Sequence, residues 1–326
     1  MDPAHGTPAR SARMRHAREA VRAFSRRHQV LITVVGSATS AAILATILAG
    51  KGDEFAAALS SASLWVVAVT VGLQIVALLA RSEAWHLTIR AAGGTVDRRI
   101  LYRASSMQVV GGVINGHLGV AARIAALRRS SPTLCPQVPT LVAAEFPILA
   151  VEAALAALTS FTLVGPLGLP WWAPVIGIAV IGAASAGLRQ LAVRKGRELW
   201  RGLAVVCALR SGSHLVAFVL VAVFAQILRN WLLLHAVGVD ASLFDAIAVL
   251  IAVVTLGQLP VGPSVGAAAA VLILGSDGVA AAAAAGLMLT ATGTMGGLCF
   301  AAWAGADTLW SQSRRTRRLR PRPAET

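Results

Sequence analysis

The sequence predicts an all-α, polytopic integral membrane protein with about six transmembrane helices and two re-entrant hairpins in inverted repeats. Three observations support this fold class. The 326-residue chain is 56% hydrophobic and only 13% charged, with a mean hydropathy of +0.71, which is far more apolar than a soluble domain of this size. Apolar runs of about 20 residues, the length that crosses roughly 30 Å of hydrocarbon as a helix, recur along the chain. Glycine and proline clusters interrupt two further apolar segments.

Six apolar runs are the predicted spans. They are residues 30–49, 55–80, 138–164, 171–188, 211–237 and 278–306. The first run is not expected to be a secretory signal, because 29 residues precede it, it is as long as a full span and other spans follow. The predicted organisation is therefore a basic segment at 1–29, a transmembrane domain at 30–310 and a basic tail at 311–326.

Arginine clusters determine the expected orientation. The net charge of +15 is concentrated in seven arginines from Arg10 to Arg27 and six from Arg314 to Arg322. Basic flanks remain in the cytoplasm, so both termini are predicted to be cytoplasmic and the protein to lie in the cell (plasma) membrane. The same clusters can attract anionic lipid headgroups. Nucleic acid is not an expected partner, because no aromatic residue interleaves the C-terminal arginines and no DNA-binding fold flanks them.

The first predicted re-entrant hairpin is the weakly apolar stretch ASSMQVVGGVINGHLGVAA, residues 104–122. Basic residues flank it on both sides, which indicates that both of its ends lie in the cytoplasm. Glycine permits the turn that such a segment needs. The predicted breaks are at Gly111, Gly112, Gly116 and Gly119.

The second predicted hairpin contains LGQLPVGPSVGAAAAVLILG, residues 256–275. The predicted breaks are at Pro260, Gly262, Pro263 and Gly266, because proline removes a backbone donor and glycine allows a turn. Since one further crossing suffices to bring the tail inside, residues 246–276 should enter and leave on the outer side. Each half then has the order span, span, hairpin, span, with the second half inverted, which is typical of secondary-transporter cores.

Three ionisable residues inside predicted spans are candidate substrate-pathway residues, because such groups are costly in lipid. Glu145 and Glu152 are seven residues apart, which places them on one helix face. They bind a cationic headgroup, relay protons or pair with Arg229; otherwise they form a structural pair or the wall of a wet cavity. Arg229 itself either contributes to the pathway or extends along the helix to reach the membrane surface.

Polar residues at the hairpins complete the predicted pathway. Asn115, His117 and Gln258 either contact a passing headgroup or hydrogen-bond the backbone that the breaks leave unpaired. Arg123 follows the first hairpin, and it is either an ordinary cytoplasmic flank or a ligand for a lipid phosphate, to which its planar fork of donors is suited.

Known catalytic motifs are missing from the sequence. It contains no GxxxxGK[ST], HExxH, GxSxG or zinc-ligand spacing, and its three cysteines are widely separated. We therefore predict no catalytic residues, no cofactor, no metal and no autonomous enzyme. Asp240, Asp245 and Asp277 are the one thin candidate for an acidic cluster.

Several residues resemble the transmembrane domain of lysylphosphatidylglycerol synthases and their stand-alone flippase-like relatives. The early element NGHLGVAAR and the late element LPVGPSVGAAAA carry this resemblance over about residues 30–310. The matching positions are Asn115, Gly119, Arg123, Glu145, Leu259, Pro260, Pro263, Gly266, Gly278 and Val279. Val120 and Phe146 stand where the family has an acid and an arginine, and alanines replace its late glutamate. The synthase activity of that family belongs to a separate soluble domain, so the resemblance implies movement or binding of lipid.

The leading functional hypothesis is a flippase-like protein that moves or binds an anionic or lipid-linked amphiphile. The alternative is a non-transporting membrane scaffold subunit of an envelope-assembly or lipid-modifying enzyme, which the missing family acids favour. A membrane transferase that uses a lipid-phosphate donor is a third hypothesis, and it needs the acidic cluster. Membrane lipids are the expected partners in the first case and an envelope-assembly enzyme in the second, with the oligomeric state left open.

Overall fold

The structure is a computed structural model that describes residues 50–112, 116–131, 135–195, 209–257, 265–275 and 278–318, with Ala42 and Thr46. The predicted span 30–49 lies almost wholly outside the described residues. So do five of the predicted site residues, which are Asn115, Gln258, Pro260, Gly262 and Pro263.

All regular secondary structure in these ranges is helical, which confirms the all-α prediction. The helices of the first half are α1 (Gly52–Ser61), α2 (Leu64–Ala91), α3 (Arg98–Gly112), α4 (Gly116–Ser130), α5 (Val138–Ala143), α6 (Phe146–Thr159) and a 3-10 turn (Ser160–Leu163). Those of the second half are α7 (Ala173–Lys195), α8 (Leu209–Ala236), α9 (Leu243–Leu256), α10 (Val265–Leu274) and α11 (Val279–Arg318).

Within the described ranges, four helical segments are long and apolar enough to cross a membrane. They are Leu64–Ala91, Val138–Leu163, Gly212–Ala236 and Val279–Ala306. The apolar part of α7 is shorter within the described residues, at Ala173–Ala184. The prediction of a multi-pass membrane protein is confirmed at this level.

One predicted boundary is wrong. The run 55–80 is not a single helix, because the chain breaks between α1 and α2 and the span continues to Ala91. No proline or glycine lies between Ala80 and Ala91 to stop it. Gly93, with φ of 87°, then follows the helix in a left-handed conformation. Arg81 and Arg90, which lie beyond the predicted end of this span at residue 80, therefore belong to α2.

Large apolar side chains cover much of the outer surface. Leu64 is 87% exposed, and Leu158 and Phe224 are 63% and 62% exposed. So many large apolar side chains exposed on the described helices are typical of a surface that meets a membrane or a protein partner. Together with the spans, it indicates contact with lipid.

Two pairs of consecutive short helices pack against each other, α3 with α4 and α9 with α10. The arms α3 and α4 have 15 residues each, so each is about 22 Å long at 1.5 Å per residue. The arms α9 and α10 have 14 and 10 residues, or about 21 and 15 Å. All four are shorter than the roughly 30 Å of a bilayer core.

The long helices α2 and α8 pack along each other, and α11 packs against α2, α3 and α10. Between α10 and α11 the two backbones are in close contact. A Cβ added at Gly266 would lie 2.4 Å from the Gly286 carbonyl oxygen, and one at Gly286 would lie 2.3 Å from the Ala267 Cα. Small residues allow such contacts between membrane helices. Gly266 therefore serves packing as the second residue of α10, and Gly119 lies within α4.

Candidate functional site

The structure describes the side chains of four predicted pathway residues, and three of them come together. Arg123 projects from α4, Glu145 lies between α5 and α6, and Glu152 is on α6, whereas Arg229 is separate on α8. His117 is the second residue of α4, and its side chain lies outside the described part of the structure.

Glu145 occupies a break in its span that Pro147 causes. Proline has no N–H to donate to the carbonyl of Ala143, four residues earlier, and its ring clashes there. At the break, the N–H of Glu145 donates to the carbonyl of Val142, three residues earlier, at 3.1 Å. The regular four-residue spacing resumes with the N–H of Leu149, which donates to the Glu145 carbonyl at 3.0 Å. The carboxyl group therefore projects from the junction of α5 and α6.

Arg123 forms a buried ion pair with Glu145. The Arg123 side chain is 1% exposed and that of Glu145 is 9% exposed. The guanidinium also stacks on the Trp85 ring, with its central carbon 3.8 Å from the ring centroid. This cation–π contact adds to the attraction, since it is strongest where water is excluded. Arg123 therefore lies in the protein interior and is not an exposed flanking residue, which was one of its two predicted roles.

Arg81 and Glu152 form a second ion pair beside the first. Two N–O distances of 3.1 Å join the guanidinium and the carboxylate in a two-pronged contact, the geometry that makes arginine–carboxylate pairs strong. Both charges act electrostatically on Arg123. We call Arg81, Arg123, Glu145 and Glu152 the charge quartet, and with all four groups ionised its net charge is zero.

Helical spacing explains why the quartet assembles. Arg81 and Trp85 are four residues apart on α2, and Glu145 and Glu152 are seven apart, so each pair lies on one face of its own segment. Arg123 reaches between these faces from α4. The sequence indicated the shared face of the two glutamates. It did not indicate Arg81 or Trp85, because the span was taken to end at Ala80.

Three hydrogen-bond donors in the quartet and the adjacent Trp85 have no acceptor among the described residues. The Nε atoms of Arg81 and Arg123 and the indole Nε1 of Trp85 are buried and have no hydrogen-bond partner among the described residues. All three are N–H donors. A buried donor without a partner costs about 1–3 kcal/mol, so the site favours a ligand that brings acceptor oxygens.

A separate group of contacts joins α3, the first helix of the α3–α4 pair, to its neighbours α2 and α11. The Tyr102 hydroxyl donates to the Glu83 carboxylate, and Arg98 Nη2 lies 3.5 Å from Glu83 Oε2. Burial and the Glu83 carboxylate raise the pKa of Tyr102, which is outside the four spans, to about 12. The Tyr102 ring also packs on Phe300 and Trp303 of α11, with centroids 6.2 and 5.8 Å apart. These residues hold α3 against α2 and α11, and sequence reasoning missed them because it treated this region as a flank.

Arg229 pairs with neither glutamate. Its Nη1 donates to the Gln74 amide oxygen on α2, and its Nη2 lies 3.5 Å from the Leu289 carbonyl oxygen on α11. The side chain therefore extends into the helix interface instead of along the helix to the membrane surface.

The candidate acidic cluster is not brought together within the described residues. Asp245 forms a capping box with Ser242 at the start of α9. Asp277 lies outside the residues that the structure describes. In the described ranges no group of three or more His, Cys, Asp and Glu side chains is arranged to hold a metal ion.

Comparisons with protein-family models, curated proteins and solved structures found no match to this chain.

Proposed function

We propose that this chain is a flippase-like membrane protein that moves or binds an anionic or lipid-linked amphiphile, and that its charge quartet contacts the headgroup. The observation that supports the proposal is the set of three unpartnered N–H donors around an otherwise neutral cluster. An anionic headgroup supplies the acceptor oxygens that these donors need. Arginine is suited to that role because its planar fork binds two oxygens at once.

The proposed topology places six spans and two re-entrant hairpins in inverted repeats, with both termini in the cytoplasm. The short arms of α3–α4 and α9–α10 support it, as does the order of long helix, hairpin and long helix in both halves. The helices α2 and α8 hold corresponding positions in the two halves and pack together. The exposed Trp65, Trp171 and Trp172 fit an outer aromatic belt, and Trp303 fits an inner one.

The proposed family is the transmembrane domain of lysylphosphatidylglycerol synthases, in a form without the synthase domain. Two of the residues that carry the resemblance, Arg123 and Glu145, form an ion pair across helices.

A scaffold subunit of an envelope-assembly or lipid-modifying enzyme is the second candidate. The observation that favours it is that each glutamate of the quartet already has an arginine partner. In that case the quartet only joins α2, α4 and α6.

Lipid movement in proteoliposomes tests the proposal. Fluorescent phosphatidylglycerol is incorporated in both leaflets, and a membrane-impermeant quencher reports the fraction that reaches the outside over time. The double variant Arg123→Gln/Glu145→Gln removes both buried charges together, so neither remains unpaired. We expect it to slow movement by about tenfold or more, which corresponds to about 1.4 kcal/mol of lost interaction.

The matched control is Arg128→Gln, an exposed arginine on the same helix as Arg123. It should leave the rate unchanged. If the wild-type protein moves no probe, or if the double variant moves it as fast as the control, the flippase proposal is wrong. A double variant that still supports envelope assembly in cells would then favour the scaffold.

A further inference from the structure

Arg229 is a half-buried cation whose described partners are all neutral. Arg81 and Arg123 each face a glutamate. Arg229 instead contacts an amide oxygen and a backbone carbonyl, and no ion pair joins it to a described carboxylate. A charge without a countercharge inside a membrane span costs free energy, and such residues commonly mark a binding site or a transport pathway.

The neutral contacts of Arg229 leave binding capacity unused. A guanidinium has five N–H donors, and the Nε of Arg229 is buried without a hydrogen-bond partner in the described chain. The Leu289 carbonyl is a weak partner at 3.5 Å, and it also lies 3.4 Å from the Thr292 hydroxyl. The site thus has positive charge and free donor capacity together.

Glycines on α11 shape the backbone around Arg229. A Cβ added at Gly293 would lie 3.4 Å from Arg229 Nη1, so any larger side chain would crowd the guanidinium. A Cβ at Gly296 would lie 2.7 Å from the Cβ and Cγ of Gln74. Gly296 therefore lets α11 approach the residue that holds Arg229.

The position of Gln74 relates Arg229 to the quartet. Gln74 precedes Arg81 by seven residues on α2, which is two turns on the same face and about 10.5 Å along the axis. The quartet and the Arg229 site thus lie along one face of α2. The charges of the quartet balance, whereas that of Arg229 has no described countercharge.

We propose that Arg229, oriented by Gln74, is a second phosphate-binding position, distinct from the charge quartet. Its role as a station for a moving headgroup rests on the proposed function. Phosphate oxygens provide the negative charge that the site lacks and fit the arginine fork. The phosphate belongs either to a lipid phosphodiester headgroup or to free inorganic phosphate.

Thermal unfolding of the purified full chain in detergent micelles measures this binding. A ligand that binds the native state raises the midpoint temperature with its concentration, which gives an apparent Kd. Three probes are titrated separately: phosphatidylglycerol, diacylglycerol with the same acyl chains, and inorganic phosphate. A rise with phosphatidylglycerol alone indicates the lipid headgroup, and a rise with inorganic phosphate as well indicates that the phosphate group suffices.

The variants are made in the Arg123→Gln/Glu145→Gln background, so that the buried ion pair of the quartet does not contribute, and Arg81 and Glu152 stay the same in every variant compared. We expect phosphatidylglycerol still to bind there, and Arg229→Gln to weaken this binding by about tenfold or more. Arg229→Lys keeps the charge but loses the fork, so it should retain part of the binding. Arg90→Gln, at an exposed arginine near the end of α2, should have no effect.

The inference is overturned if no phosphate-bearing probe raises the midpoint in the background, or if Arg229→Gln binds as tightly as Arg90→Gln. That result leaves the lipid-movement test of the quartet unaffected. Conversely, if binding depends on Arg229 but the wild-type protein moves no lipid, the phosphate position stands and the proposed flippase function fails.

Discussion

Burial predicts that the two ion pairs of the quartet contribute very unequally to stability. Glu145→Gln leaves the guanidinium of Arg123, whose side chain is 1% exposed, without a countercharge. Removing one partner of a buried pair typically costs about 3–5 kcal/mol. Glu152→Gln affects a pair whose side chains are 29% and 23% exposed, so the arginine that remains is less desolvated and a clearly smaller loss is expected.

Reversible unfolding in mixed micelles of mild detergent and dodecyl sulfate measures both losses. The Glu145→Gln variant should unfold at a clearly lower dodecyl sulfate fraction than Glu152→Gln. Adding Arg123→Gln to Glu145→Gln removes the stranded charge and should restore a large part of the stability. Equal losses for the two single variants, or a further loss in the double variant, would refute the reasoning that burial of Arg123 determines the cost.

Three further predictions concern packing, thiol chemistry and topology. Gly286→Ala should destabilise the fold by about 1–3 kcal/mol, because its Cβ meets the α10 backbone. Gly182→Ala, at a position with open space around it, should not, and equal unfolding midpoints would contradict the close crossing. Burial raises the pKa of Cys135, so its alkylation rate should increase with pH around a midpoint above that of a free thiol peptide; a midpoint at or below the peptide's would contradict this. Single cysteines at Asn115 and Gly262, in a chain without the three native cysteines, should be labelled from the cytoplasmic and outer sides respectively, and labelling of both from one side would contradict the inverted hairpins.

Hydropathy and helix length predicted the all-α class and the four long apolar helices. The four candidate spans lie close to apolar runs that composition alone identified, because lipid selects for long uncharged helices. The end of α2 was misplaced because charge was used as the boundary signal. Arg81 is charged, yet it stays in the helix, where Glu152 compensates it.

The partners of the buried charges could not be predicted in the same way. Local patterns place Glu145 and Glu152 on one face, but which arginine meets each depends on how α2, α4 and α6 pack. Pro147 was a usable signal for the break at Glu145, because a proline inside an apolar run interrupts a helix. No local feature of the sequence singles out Gln74 as the partner of Arg229.

The break at Pro147 divides this span into two helical arms, α5 and α6, which join at a pivot where the span can bend. A helix bends most readily where its hydrogen-bond ladder is interrupted. The 14-residue arm α6 is about 21 Å long, so a bend of roughly 10° at the pivot displaces its far end by about 4 Å. Glu145 lies at the pivot, so such a bend would displace it little. A charge in this position can keep its partner while the rest of the helix swings.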